Sequence, residues 1–306
     1  MSASRRAVVL LVITMAIWGS TFVATKAVIG LLPPLTLAFL RVAIGALVLL
    51  PLAWVRQRRT PRRLPWGVLV LLGLIGVTLY YVLFNFAITR ISASQGALVQ
   101  SCIPAMTALC AVLLLREQAG IARWVGIALS MLGIAIVFTG SHAAEGEGAA
   151  LGNLLMFGTV IAWGVYTSLA KRIAHVDVLV TTAALTGIGA VSLLPLAVVE
   201  MAGRPWPDLP FAAWLGVVYL GAIASGVAYL TYNDALRYMD ASEAGVYTNI
   251  IPVVGVLTGV IVLGEPLSWR AVLGGAVVLL GVWITGRSAR PGVPPRTAQS
   301  TLRPPT

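Results

Sequence analysis

Residues 16–26 read AIWGSTFVATK, and residues 161–171 read IAWGVYTSLAK. Trp18, Gly19 and Lys26 of the first stretch match Trp163, Gly164 and Lys171 of the second at a spacing of 145. Both stretches lie inside long apolar runs. A tryptophan in a membrane helix usually sits at headgroup level, where its ring is half wet. Trp18 follows the N-terminal arginines by about a dozen residues, which puts it near the middle of a helix of about 20. A Trp–Gly pair at that depth, occurring twice, asks both for a reason and for a duplicated chain.

The duplication extends well beyond this motif. An offset of 148 aligns residues 73–134 with 221–282, pairing Gly73 with Gly221, Tyr81 with Tyr229, Asn85 with Asn233 and Pro104 with Pro252. It continues through Glu117 and Glu265, Gly126 and Gly274, and Gly133 and Gly281. Near Gly45/Gly189 and Pro51/Pro195 the offset is 144, a drift of the kind that loop insertions produce.

Composition sets the environment. Of 306 residues, 59% are hydrophobic and 10% charged, with a mean hydropathy of +0.94. A soluble domain carries about a quarter charged residues, so this is an integral membrane protein whose first partner is the lipid bilayer. The apolar runs predict ten spans, at 7–29, 34–55, 65–89, 93–115, 121–140, 151–171, 178–200, 210–236, 241–263 and 269–286. Alternating strands of about ten residues are missing, which argues against an outer-membrane barrel.

The net charge of +11 does not imply a nucleic-acid partner, because the basic residues fall in loops and tails. Of the 21 Lys and Arg residues, sixteen lie on the side shared by both termini, four lie on the other, and Arg41 is inside a span. The positive-inside rule then predicts cytoplasmic N- and C-termini in a cell inner (plasma) membrane. Residues 2–20 resemble a signal sequence but belong to the repeat, so they read as a retained first span. Cys102 and Cys110 are eight residues apart on one predicted helix, about 12 Å along its axis, too far for a disulfide.

Five spans per half is an odd number, so the second copy enters the membrane from the opposite side. The expected fold is an all-α membrane protein of ten helices, built as two inverted five-helix repeats around a central cavity. The first repeat covers 1–140, an extracytoplasmic linker 141–150, and the second repeat 151–287. A Pro-rich tail over 288–306 is expected to be disordered and cytoplasmic.

The stretches WGSTFVATK, FLRVAIGALVLL, LLLREQAGIARWVGIALSMLGI and VLGEPLSWRAVLGGAVVLLGV together resemble the drug/metabolite transporter superfamily, in its ten-helix EamA-type branch. The likeness covers about residues 7–287, and GEPLSWRAVLGG is its most specific part. The first half has REQ where many members have GEP. The resemblance implies export of amino acids, nucleosides, other metabolites or drugs, and within the family this chain is similar to exporters of aromatic and neutral amino acids.

Inversion would bring Trp18 and Trp163 to opposite walls of one cavity, where an indole can pack on an organic solute and still offer its N–H. The competing reading is that Trp–Gly pairs pack helices closely. Tyr81 and Asn85, like Tyr229 and Asn233, share a helix face at i,i+4. Buried amides need partners, so these read either as cavity lining or as helix-to-helix links. Gln100 and Ser101 correspond to Thr248 and Asn249, and Tyr166 and Tyr247 add aromatic surface at similar depth. These twelve residues form the candidate substrate-binding set. Pro104 and Pro252 are candidate hinges, since proline kinks a helix. Arg41, inside the second span, reads first as a snorkelling or carbonyl-bonding arginine and second as a contact for a substrate carboxylate.

No cofactor, metal site or catalytic constellation is expected, and no P-loop occurs. No mid-membrane carboxylate suggests a proton relay, so transport is read as facilitated or coupled through another group. The function expected is alternating-access export of small neutral or zwitterionic solutes, aromatic and other apolar amino acids first. The second reading is export of organic cations, drugs or nucleosides. An intramembrane enzyme and a channel are the remaining ones. The sequence leaves the oligomeric state open, and a monomer would suffice.

Overall fold

A computed structural model describes residues 3–59, 63–117, 120–145, 148–239, 244 and 247–287. The expected tail at 288–306, Gly146 and Glu147 of the linker, Asp240 and Glu243 lie outside the described residues. Among the described residues eight helices are long and apolar enough to cross a membrane: α1 (Ala3–Ile29), α2 (Pro34–Arg59), α3 (Trp66–Ile88), α4 (Ala93–Leu115), α5 (Ile121–Glu145), α6 (Ala149–Arg172), α7 (Val178–Met201) and α8 (Phe211–Ala235). Two shorter apolar helices follow, α9 (Ile250–Leu263) and α10 (Trp269–Arg287). No strand occurs among the described residues. Leu47 and Val191, repeat equivalents at an offset of 144, are 71% and 74% exposed. Apolar side chains presented outward along such helices suit lipid rather than water. The protein is a multi-pass membrane protein.

The helices depart from the predicted spans in three places, each for a local reason. Helix α5 continues through residues 140–145, where the linker was expected to begin, because that stretch contains the helix formers Ala and Glu. Helix α4 is interrupted by a turn at Ser101–Cys102, and a turn at Thr248–Asn249 precedes α9. Pro104 and Pro252 were expected to kink continuous helices. Instead each sits in the first turn of the segment after the break, where its missing N–H has no intrahelical partner to lose. Helices α3 and α8 each carry wide π-type turns, at Leu74–Leu79 and Tyr219–Val227.

Helix ends are satisfied by side chains from distant segments. Asp177 caps α7 through Leu179 N and Val180 N and is also bound by Arg56 Nε at 2.9 Å. Partial burial pushes its carboxyl pKa up, but the Arg56 and backbone hydrogen bonds outweigh that, and the net shift is downward. The REQ departure has a backbone consequence. Arg116 ends α4 at φ 57° in the left-handed region, where its counterpart Gly264 ends α9 at φ 65°. Glycine adopts that conformation freely, whereas arginine gives up about 1 kcal/mol.

Helix α5 packs along α10 and α2 along α7, while α1 meets α9 and α6 meets the second half of α4. The α5–α10 crossing is backbone on backbone. A Cβ on Gly133 would stand 2.6 Å from Val278 N and 2.7 Å from Gly274 O. One on Gly281 would stand 2.6 Å from Gly126 O. Gly126 therefore meets Gly281, and Gly133 meets Gly274. These are the two repeat-equivalent pairs with partners exchanged. Between them Ser130 Oγ reaches Val278 O at 3.4 Å, and 130 and 278 are themselves related by 148.

Candidate functional site

Trp18 on α1 and Trp163 on α6 meet edge to face, with ring centroids 5.0 Å apart. Tyr229 lies 5.6 Å from both rings, and Tyr232 lies 5.2 Å from both. Trp18, Trp163 and Tyr229 form one wall of a cavity, with Tyr232 packed against the two tryptophans. The space open to the centre of a water molecule is about 20 Å³, room for one or two waters. The rest of the lining is Thr21, Phe22, Arg41, Tyr80, Tyr81, Phe84, Gln100, Ile103 and Ile251. Seven helices contribute to it, from both halves of the chain.

The π-type turns hold this wall in place. Tyr229 Oη donates to Gly76 O at 2.6 Å, and Trp18 Nε1 donates to Ala224 O at 3.0 Å. Gly76 and Ala224 are equivalents at an offset of 148, and each lies in a wide turn. A wide turn can turn a carbonyl aside from the regular i−4 ladder, so each half offers a backbone acceptor to an aromatic side chain on the cavity. The Trp163 N–H lies near the Tyr232 hydroxyl but makes no well-formed hydrogen bond. Gln100 Nε2 donates to Tyr80 Oη at 2.9 Å and to Thr159 Oγ1 at 3.1 Å.

The lysines of the opening motif have a different task. Lys26 Nζ donates to Ile88 O and Ile91 O at the end of α3. Lys171 Nζ donates to Leu236 O and Met239 O just past α8. Each lysine satisfies carbonyls that a helix end leaves without partners. Tryptophan, glycine and lysine of the motif thus line, pack and tie one helix.

Of the twelve binding candidates, Trp18, Tyr81, Gln100, Trp163 and Tyr229 are on the cavity wall. The others are not. Asn85 is fully buried and donates to Pro34 O at 2.8 Å, tying α3 to the start of α2. Asn233 accepts from Tyr166 Oη at 2.8 Å and donates to Thr182 Oγ1 at 3.2 Å, so it links α8 to α6 and α7. Ser101 bonds back to Leu98 O within α4. Thr248 is buried, and Tyr247 and Asn249 are half-buried away from the wall. Pro104 and Pro252 are buried beside the breaks.

Arg41 is on the wall and only 2% exposed, against the expectation of a snorkelling side chain. Phe22 and Phe84 follow Trp18 and Tyr81 by four and three residues, a helical spacing that the sequence carried and the candidate set omitted. Among the described residues no cluster of His, Cys, Asp and Glu could hold a metal ion.

Family models match the chain twice, over residues 5–139 and 150–287, both as the EamA-like transporter family. The chain belongs to the EamA-like transporter family. An uncharacterized transporter of Archaeoglobus fulgidus is 29% identical over 283 residues, covering 91% of this chain and 98% of that protein. A Pseudomonas aeruginosa protein is 32% identical over 262 residues, covering 83% of this chain and 86% of that one. A solved crystal structure at 23% identity shares the fold, with a TM-score of 0.70 over 94% of this chain and 100% of its own. The central cavity is therefore the cavity of an EamA-type transporter.

Proposed function

We propose that this EamA-type protein is an alternating-access secondary transporter that exports small neutral or zwitterionic organic solutes, aromatic and other apolar amino acids first among them. The observation that carries this reading is the aromatic cage formed by Trp18, Tyr81, Trp163 and Tyr229, with Gln100 as its amide. Aromatic faces and edges bind an apolar or aromatic body, while hydroxyl and amide groups orient it. The cage leaves space only for water, so a solute enters when the helices carrying its walls separate. Export rather than import follows the family resemblance.

The halves read as inverted repeats over 1–140 and 151–287. Supporting this are the exchanged glycine contacts of α5 and α10, and the matched acceptors Gly76 and Ala224. The α1–α9 and α6–α4 packing pairs, which swap under such a symmetry, point the same way. Alternating access is then a rocking of one half against the other about a fixed site. The membrane is the cell inner membrane, with both termini cytoplasmic. Arg59→Cys should resist an impermeant maleimide in intact cells and Gly146→Cys should react; the reverse pattern overturns the topology. Both native cysteines are buried, so background labelling should be low.

The test of function is flux in proteoliposomes. L-Phenylalanine should exchange saturably, with the L-enantiomer preferred and recovered unchanged. Flux of organic cations or nucleosides alone would replace the amino-acid reading. Ionic conductance would indicate a channel, and chemical conversion of the solute an enzyme.

A further inference from the structure

Arg41 is a charge for which the packing gives no balance. It is almost wholly buried in α2 and faces the cavity. Its Nε donates to Ser225 Oγ at 3.3 Å and Nη1 to Thr25 Oγ1 at 3.5 Å; both bonds are long and both partners are neutral. Its guanidinium carbon lies 4.3 Å from the Tyr81 ring centre, and the Tyr81 hydroxyl is itself bound to Ser225 at 3.0 Å. The fork is thus held in position without being satisfied, since a guanidinium carries five N–H donors. Among the described residues no carboxylate lies within ion-pair distance of it. A buried charge inside a membrane protein is ordinarily paired or faces a functional pathway. The spacing of 144 that relates Gly45 to Gly189 places Leu185 opposite Arg41 in the second half, so the cavity has one cation on one side and no second to match it. Among the described residues no acidic residue is on the wall.

We propose that Arg41 receives the carboxylate of the transported solute, and that the cavity selects aromatic and apolar monocarboxylates by their acid group rather than by an ammonium. This rests on the transport of small organic solutes proposed above and narrows its substrate class. A guanidinium fork binds a carboxylate through two parallel hydrogen bonds, a geometry that lysine cannot reproduce. The wall has no anion for an ammonium. An amine without a carboxylate would bring a second positive charge beside Arg41 at low dielectric, where like charges repel strongly. An aryl-alkanoic acid without an amino group keeps every interaction that the wall provides.

The experiment compares three solutes that share one phenyl body in proteoliposomes: L-phenylalanine, 3-phenylpropionate and phenethylamine. Wild-type protein should move the first two with half-saturation concentrations within roughly tenfold of each other, and exclude the amine. Arg41→Gln should weaken both carboxylates at least tenfold and lose the discrimination against phenethylamine; Arg41→Lys should fall between. The wild-type comparison needs no variant, so a misfolded substitution leaves the proposal open to refutation. Flux of phenethylamine equal to that of the acids, or unchanged acid affinity in folded Arg41→Gln, overturns the role of Arg41 and leaves the transport reading standing. Flux of L-phenylalanine with exclusion of 3-phenylpropionate also overturns it, because the ammonium would then be required. Absence of flux for all three overturns the aromatic-solute reading itself and removes the ground of this inference.

Discussion

Valine in place of Gly133 should unseat α5 from α10 and lower the apparent melting temperature in detergent by roughly 6–12 °C, the counterpart of about 3 kcal/mol. An added Cβ would meet Val278 N and Gly274 O, which are backbone and cannot swing aside, besides Val278 Cγ2 at 2.7 Å. The axes themselves must move apart, and the contacts of the crossing go with them. Gly274→Val attacks the same contact from the other helix, where a Cβ would meet Gly133 O at 2.7 Å and Val137 N at 2.7 Å. Once one substitution has separated the helices, the second finds the space already open. The double variant should therefore melt close to the worse single one, a non-additivity expected of residues that share one contact. Gly67→Val is the control, because none of the described residues has an atom within 4 Å of a Cβ there. If Gly133→Val melts with Gly67→Val, or if the two crossing substitutions add fully, the backbone-on-backbone contact is wrong.

That crossing also marks how far the sequence could be read. Gly126 and Gly274, and Gly133 and Gly281, are visible as repeat equivalents from spacing alone. Which glycine touches which depends on how the halves are set against each other, and the structure gives Gly126 to Gly281 and Gly133 to Gly274. Helix existence was legible because membrane-length apolar runs carry that signal directly. The breaks at Ser101–Cys102 and before α9 were only half legible. Pro104 and Pro252 signal an interruption, but a proline tolerates either a kink or a fresh helix start.

The cavity was legible in Trp18, Tyr81, Trp163, Tyr229 and Gln100, and not in the two asparagines. Spacing of i,i+4 places Asn85 on the face of Tyr81, yet it says nothing of depth. Four residues along a helix is about 6 Å, enough to carry Asn85 past the cavity to the Pro34 carbonyl at the start of α2. Tyr80, about 100° around the helix from Tyr81, was not singled out. The wall wraps more of α3 than one stripe, and Tyr80 is on it. The place of Arg41 on the wall was not readable, for a related reason. Its neighbours Thr25, Tyr81 and Ser225 come from three other helices, and no local pattern joins them.

The two tryptophans should separate affinity from stability when substituted. Trp18→Ala and Trp163→Ala each remove a large ring from the centre of the cage. Each should weaken L-phenylalanine flux by roughly 30- to 100-fold, the scale of losing a buried aromatic anchor of about 2 kcal/mol or more. Phenylalanine replacements keep most of the ring area and lose the indole N–H, so they isolate the polar contribution. Trp18 spends its N–H on Ala224 O at 3.0 Å, inside the protein. Trp18→Phe should therefore lower the melting temperature by an amount that corresponds to about 1 kcal/mol, with a small change in affinity. Trp163 spends its N–H on no well-formed partner. Trp163→Phe should leave the melting temperature near wild type, because no internal hydrogen bond is lost. If the cavity wall reserves that donor for the solute, affinity should fall by roughly tenfold. The two conservative variants thus trade places between the two measurements. A Trp163→Phe protein that melts early and transports with unchanged affinity would make the Trp163 N–H a packing group. It would also remove this tryptophan's hydrogen bond from solute recognition.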